Sequence, residues 1–168
     1  MMVAFEDETW VSLYPKIEAE WMKRGTQRRV VTPGYNKRRN TFVTLLWPKR
    51  SRNGFIFNTY AKRRSKEYKL HLSNLLQHAK RRGAKRVILF VDHSPCHKTK
   101  KVERFIREHP VLRVKLLPKR APNLNPVERL VNKPLKSVVC TNRSYSDIDD
   151  VIRAGRRFLT KYKRTFGT

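Results

Sequence analysis

The stretch Val87-Ile88-Leu89-Phe90-Val91-Asp92, closed further on by Asn125-Pro126-Val127-Glu128, decides how the rest of the chain is read. Five apolar residues in a row, mostly β-formers, predict a buried strand with an aspartate at its tip. Beyond an intervening thirty-five residues a glutamate falls in the first turn of a helix, because Asn125 suits an N-cap and Pro126 a first helical position. An acid at a strand tip and an acid at a helix start suit a metal site built across a sheet.

Upstream, Met1 to Phe5 is apolar and runs into Glu6-Asp7-Glu8, so a first strand is expected to end on Asp7, with Trp10 to Tyr14 extending it before Pro15. Ile17 to Thr32 is basic and irregular. Asn40 to Trp47 is rich in β-formers and stops at Pro48, Ser51-Arg52-Asn53-Gly54 signals a hairpin, and Phe55 to Tyr60 alternates as its partner. Ser65 is read as the cap of a helix with Leu72, Leu75, Leu76 and Ala79 on one face and Gly83 as its stop.

Downstream, Thr99 caps a helix carrying Val102, Phe105 and Ile106, and Leu112 to Leu116 alternates as a half-exposed strand. The helix after Asn125 carries Val127, Leu130, Val131, Leu135 and Val138 and is interrupted by Pro134; Ser146 opens the last helix. Three antiparallel strands followed by helix-linked strands predict one α/β domain over 1–168, a mixed five-stranded sheet with helices on both faces.

The 168 residues carry 40 Lys+Arg against 13 Asp+Glu, a net charge of +27. Between Trp21 and Val91 the only acid is Glu67, so the charge belongs to the folded body rather than to a tail. Such a surface calls for a polyanion, with nucleic acid first among candidates. No apolar run is long enough for a membrane span, and no Gly-rich phosphate loop with a lysine points to an ATPase. The chain is expected to be cytoplasmic and nucleoid-associated.

Asp7, Asp92 and Glu128 are the candidate catalytic and metal-binding residues. If the first and fourth strands are central neighbours, Asp7 and Asp92 lie side by side, and crowded carboxylates are relieved by a cation. Oxygen-only donors favour Mg²⁺ or Mn²⁺, and two such ions suit phosphodiester cleavage. Each acid also has a plain structural reading. Asp92 can start a turn, Glu128 can complete a capping box with Asn125, and Glu6-Asp7-Glu8 can be a solvated charge run. His93, Cys96 and His97 invite a zinc reading, which one nearby cysteine does not favour. His97, Lys98, Lys100, Lys119, Arg120 and Asn125 are candidates for supporting the acids or contacting DNA.

Phe5-Glu6-Asp7-Glu8-Thr9, Val91-Asp92-His93-Ser94-Pro95-Cys96-His97-Lys98-Thr99 and Ala121-Pro122-Asn123-Leu124-Asn125-Pro126-Val127-Glu128 resemble the catalytic domain of DDE transposases, in particular the prokaryotic insertion-sequence branch of the mariner superfamily. The resemblance implies a ribonuclease-H-like fold, Asp7, Asp92 and Glu128 as metal ligands, and cleavage and strand transfer on double-stranded DNA at element ends and target. It further implies a homodimer acting on paired ends, and, since the N-terminal helix-turn-helix region of such proteins is expected to be absent, a separate DNA-binding subunit is a further candidate partner. The chain differs from the family pattern at His93, Lys119-Arg120, Val131 and Pro134. Two rival readings follow: a non-catalytic DNA-binding remnant, and a ribonuclease-H-like structure-specific nuclease.

Overall fold

The computed structural model describes residues 1–47, 54–119 and 121–166. Five strands, β1 (Met2–Ser12), β2 (Arg38–Trp47), β3 (Phe55–Tyr60), β4 (Val87–Val91) and β5 (Leu112–Leu116), form one sheet in the order β3-β2-β1-β4-β5. β1, β2 and β3 are antiparallel, whereas β4 joins β1 and β5 in parallel through the helices α1 (Ser65–Arg81) and α2 (Lys100–Glu108). The expected mixed sheet is observed, with β1 and β4 as central neighbours. The hairpin tip at Ser51-Arg52-Asn53, like Pro48 and Arg120, lies outside the described residues.

Asp7 does not end β1, as the sequence suggested. Antiparallel pairing with β2 carries β1 on to Ser12, but its parallel pairing with β4 stops at Phe5↔Phe90. β2 keeps the backbone of β1 satisfied while β4 ends, so Asp7 projects where the sheet narrows. Continued by two positions, that register sets Asp7 level with Asp92.

The sheet separates two cores. Met2 and Ala4 of β1, with Val87, Leu89 and Val91 of β4, pack under α1 and α2, where Leu72, Leu75 and Val102 are fully buried. On the opposite face Val43, Leu45 and Phe55 pack under α3 (Lys133–Val139) and α4 (Ile148–Thr165). Successive β1 residues point to opposite faces, so Glu6 and Glu8 look toward α1 and Asp7 toward α3.

Helix ends follow local chemistry, with two shifts from expectation. Ser65 is the first residue of α1 rather than its cap, which is Arg64, and α4 is capped by Asp147, whose side chain accepts from the Ile148 amide. Thr99 caps α2 as expected. Gly83 stops α1 at φ +64, with Gly83 N bonded to Lys80 O and Ala84 N to Ala79 O, a Schellman ending that a left-handed residue permits.

The helix expected after Asn125 is not continuous. Glu128–Asn132 is a π-helical turn, closed by Lys133 N to Glu128 O, and α3 follows. Pro134 explains the break: it has no amide hydrogen to give to the Leu130 carbonyl one turn back. The Tyr162 hydroxyl of α4 donates to that carbonyl instead, at 3.0 Å. Tyr162→Phe is therefore expected to cost about 1 kcal/mol. The cost should vanish in a Pro134→Ala background, where the restored amide reaches Leu130. Urea melts of the two single variants and the double variant test this; equal losses in both backgrounds would refute the pairing.

Candidate active site

An open cavity of about 750 Å³ lies at the C-terminal end of β4, lined by Asp7, Glu8, Asp92, Ser94, Lys119, Asn125 and Glu128 among others. The three acids come from β1, the tip of β4 and the start of the π turn, so the fold brings all three to one concavity.

Each acid is held differently. Asp7 Oδ2 accepts from Asn132 Nδ2 at 2.9 Å. The wide π turn leaves Glu128 and Asn132, four residues apart, nearly in line on one face toward β1. Asp92 Oδ1 accepts from the Ser94 amide at 2.9 Å and lies 3.2 Å from His97 Nδ1. The plain turn-starting role of Asp92 is thus real, and it uses one oxygen. The alternative capping-box role of Glu128 is not seen: among the described residues no hydrogen bond joins its carboxylate to the Asn125 amide. Asn125 itself locks the π turn to the sheet, its Nδ2 donating to the Glu6 carbonyl at 2.9 Å and its Oδ1 accepting from Val127 N.

Behind Asp7, on the other face of β1, lies a cluster the sequence did not reveal. Glu6 is fully buried and Glu8 nearly so, and both face the buried imidazole of His97. His97 Nε2 is 3.2 Å from Glu6 Oε2 and 3.3 Å from Glu8 Oε1. Ser94 Oγ and Cys96 Sγ donate to Glu8, at 3.2 and 2.6 Å, and Arg63 pairs with its Oε2 at 2.8 Å. Tyr68 packs its ring 4.4 Å from the imidazole. Glu8, Cys96 and His97 bring ligand atoms within 4.8 Å of one another. His93, counted with Cys96 and His97 in the zinc reading, turns elsewhere. Its Nε2 donates to the Leu117 carbonyl at 2.7 Å, leaving Nδ1 to accept from Lys98. That bond ties the loop after β5 over the cavity.

Electrostatics divides the acids. Burial, reinforced by Glu6, Glu128 and Asp92, pushes the Asp7 carboxyl up to about 7. Burial also raises Glu6 to about 7. Asp92 is held below its ordinary range, chiefly by His97. Burial opposes charge on His97, but its bonds to Asp92, Cys96, Glu6 and Glu8 override this and keep the ring protonated well above its usual range. Burial likewise opposes the Glu8 charge, and His97 and Cys96 outweigh it. Asp7, Asp92 and Glu128 offer an all-oxygen donor set whose mutual repulsion is felt at Asp7, an environment that fits a hard divalent cation.

The supporting candidates separate. Lys119 and Asn125 line the cavity and His97 braces it from behind, whereas Lys98 and Lys100 lie on the exposed surface at its side. Arg63, Glu6, Glu8 and Asn132 were missed. A signal existed only for Asn132, a polar residue inside the apolar pattern of the helix.

Residues 2–152 match the family described as DDE superfamily endonuclease. A 39 kDa protein of the insertion element IS630 from Shigella sonnei is 32% identical over 157 residues, 94% of this chain and 44% of its own length. The chain therefore spans less than half of that relative. Among solved structures, a pre-cleavage Mos1 transpososome matches 97% of this chain and 51% of its own, at 14% identity and TM-score 0.71. The Mos1 mariner paired-end complex with Mn matches 97% and 50%, at 16% identity and TM-score 0.67. The catalytic domain of Mos1 mariner transposase matches 96% and 72%, at 16% identity and TM-score 0.59. These likenesses establish the ribonuclease-H-like fold.

Proposed function

The chain belongs to the DDE superfamily of endonucleases, and from that premise we propose that it is the catalytic domain of a transposase, cutting DNA at element ends and joining it to a target. The observation that carries the reading is the convergence of Asp7, Asp92 and Glu128 on one open cavity in a body of net charge +27. In this reading the three carboxylates hold Mg²⁺ or Mn²⁺, as two ions. The metal, when bound, supplies charge neutralisation at the scissile phosphate and a water of lowered pKa.

The chain's own residues do the rest. Asn132 fixes the Asp7 carboxyl and His97 fixes Asp92, so that two of the three acids are oriented before any ligand arrives. Lys119 at the cavity rim and the basic surface around it bring the phosphate backbone to the acids. The active assembly is a homodimer on paired ends, with recognition of end sequence supplied by another segment or subunit. No helix among the described residues is long and apolar enough to cross a membrane.

Calorimetric titration of Mn²⁺ tests the metal assignment. Wild type is expected to bind and Asp92→Ala to lose at least tenfold in affinity while keeping its circular dichroism. Equal binding by both would move the metal elsewhere. Failure of wild type to bind, with and without duplex DNA, would favour a non-catalytic DNA-binding protein.

A further inference from the structure

A second concavity, of about 690 Å³, opens on the far side of Glu128 and is lined by Trp10, Tyr14, Arg38, Lys133 and Lys136 as well as by Glu128 itself. Trp10 is 44% exposed although it sits in the central strand of the sheet. The Arg38 guanidinium lies 4.5 Å from its ring centroid and the Lys136 ammonium 5.8 Å. Among the described residues Arg38, Lys133 and Lys136 make no ion pair. The other acid of this cavity, Glu18, is paired with Lys16. Three cations without carboxylate partners around a half-exposed indole form a place for an anion that carries a flat ring. Cations take the phosphates and the π-face takes the base.

We propose that this cavity binds an unpaired nucleotide of the strand that passes over Glu128, its base stacked on the exposed part of Trp10 and its phosphates held by Arg38, Lys133 and Lys136. The proposal rests on the reading of Asp7, Asp92 and Glu128 as a DNA-cutting site. Glu128 lines both cavities, so a strand whose scissile phosphate faces the acids has its neighbouring nucleotide within reach of Trp10. A base inside a duplex offers no face to stack on, so the ligand is a nucleotide released from pairing beside the cut. Stacking on the indole offsets the cost of unpairing.

The test uses a single-stranded oligodeoxynucleotide containing 2-aminopurine and a blunt duplex of equal length, without divalent metal. Wild-type protein is expected to bind the single strand and quench 2-aminopurine. Trp10→Ala and Trp10→Leu, the second keeping apolar bulk without an aromatic face, should lose the quenching. Both should bind the single strand about tenfold more weakly and the duplex as wild type does. Their dependence of log affinity on log salt should be unchanged, because stacking releases no counterions. Lys136→Ala should instead flatten that slope by about 0.7. Trp21→Ala, at a fully exposed tryptophan outside the cavity, serves as the control and should match wild type. Unaltered quenching in both Trp10 variants, or an equal loss on duplex, overturns the proposal and leaves the cutting site standing. A folded wild type that binds neither DNA overturns both.

Discussion

Asp7→Asn is expected to abolish metal-dependent strand cleavage and, in metal-free buffer above about pH 7, to make the protein more stable. Burial and the carboxylates of Glu6, Glu128 and Asp92 push the Asp7 carboxyl up to about 7. In the unfolded chain its pKa returns to the ordinary 3.8. Between about pH 4 and 7 the folded state therefore holds more protons than the unfolded state. Stability falls as pH rises through that window, and the cost is complete above it. An asparagine cannot ionise, and its amide oxygen still accepts from Asn132. The variant should gain on the order of 2 kcal/mol at pH 8, discounted for partial exposure, and nothing at pH 4. For a chain of this size that is a rise of about 5 °C in Tm.

Divalent metal should reverse the order. Wild type gains stability by binding the ion, whereas the asparagine variant lacks a charged ligand and gains little. Thermal melts at pH 4 and pH 8, with and without Mn²⁺, separate the two effects, and a nicking assay on duplex DNA reads the cleavage. Indistinguishable melts at pH 8 would mean that burial and the neighbouring carboxylates do not raise the Asp7 pKa. Cleavage retained by the variant would remove Asp7 from the metal.

Asp92 and Glu128 were legible because each stands at a local boundary the sequence marks, whereas Asp7, read as a strand end, lies within β1. Five apolar residues announce β4 and leave Asp92 at its tip, and Asn125-Pro126 announce a helix start that places Glu128. A mixed sheet allowed the first and fourth strands to be central neighbours, and the observed order sets Asp7 beside Asp92. The support behind them was not legible, because it depends on contacts distant in sequence. Glu6-Asp7-Glu8 reads equally well as a solvated run; alternation sends Asp7 one way and its neighbours the other, but nothing local says that His97, 89 positions beyond Glu8, waits on that second face. Pro134 showed that the helix would be interrupted. That the interruption is a π turn with Asn132 bonded to Asp7, and that Tyr162 from another helix donates to the carbonyl Pro134 leaves unmet, rests on contacts distant in sequence. The caps at Ser65 and Ser146 were each misplaced by one residue: Asp147 takes the second with its side chain, whereas α1 begins after Arg64 with no side-chain cap at all.

His97→Ala should be the most damaging single substitution away from the cavity acids. Its ring is charged and buried, with Glu6 and Glu8 on one nitrogen and Asp92 on the other. Removing a buried partner leaves charge without compensation, a loss of roughly 3–5 kcal/mol. Because the folded pKa of His97 is raised, its contribution is complete below the ordinary value of 6.5 and is lost progressively as pH rises from there toward the folded value. The contribution of His97 should therefore shrink as pH rises from 7 to 9, and the cost of His97→Ala should shrink with it. Glu6→Gln in the His97→Ala background removes one stranded carboxylate and should recover part of the loss, although Glu6→Gln alone removes a partner of His97. The double-mutant cycle, read by urea denaturation at pH 8, should give a coupling of at least about 1 kcal/mol. Additive losses would show that Glu6 and His97 are close without being energetically paired. The same His97→Ala variant should weaken Mn²⁺ binding less than Asp92→Ala does, because it frees the Asp92 carboxyl to turn but leaves it in place.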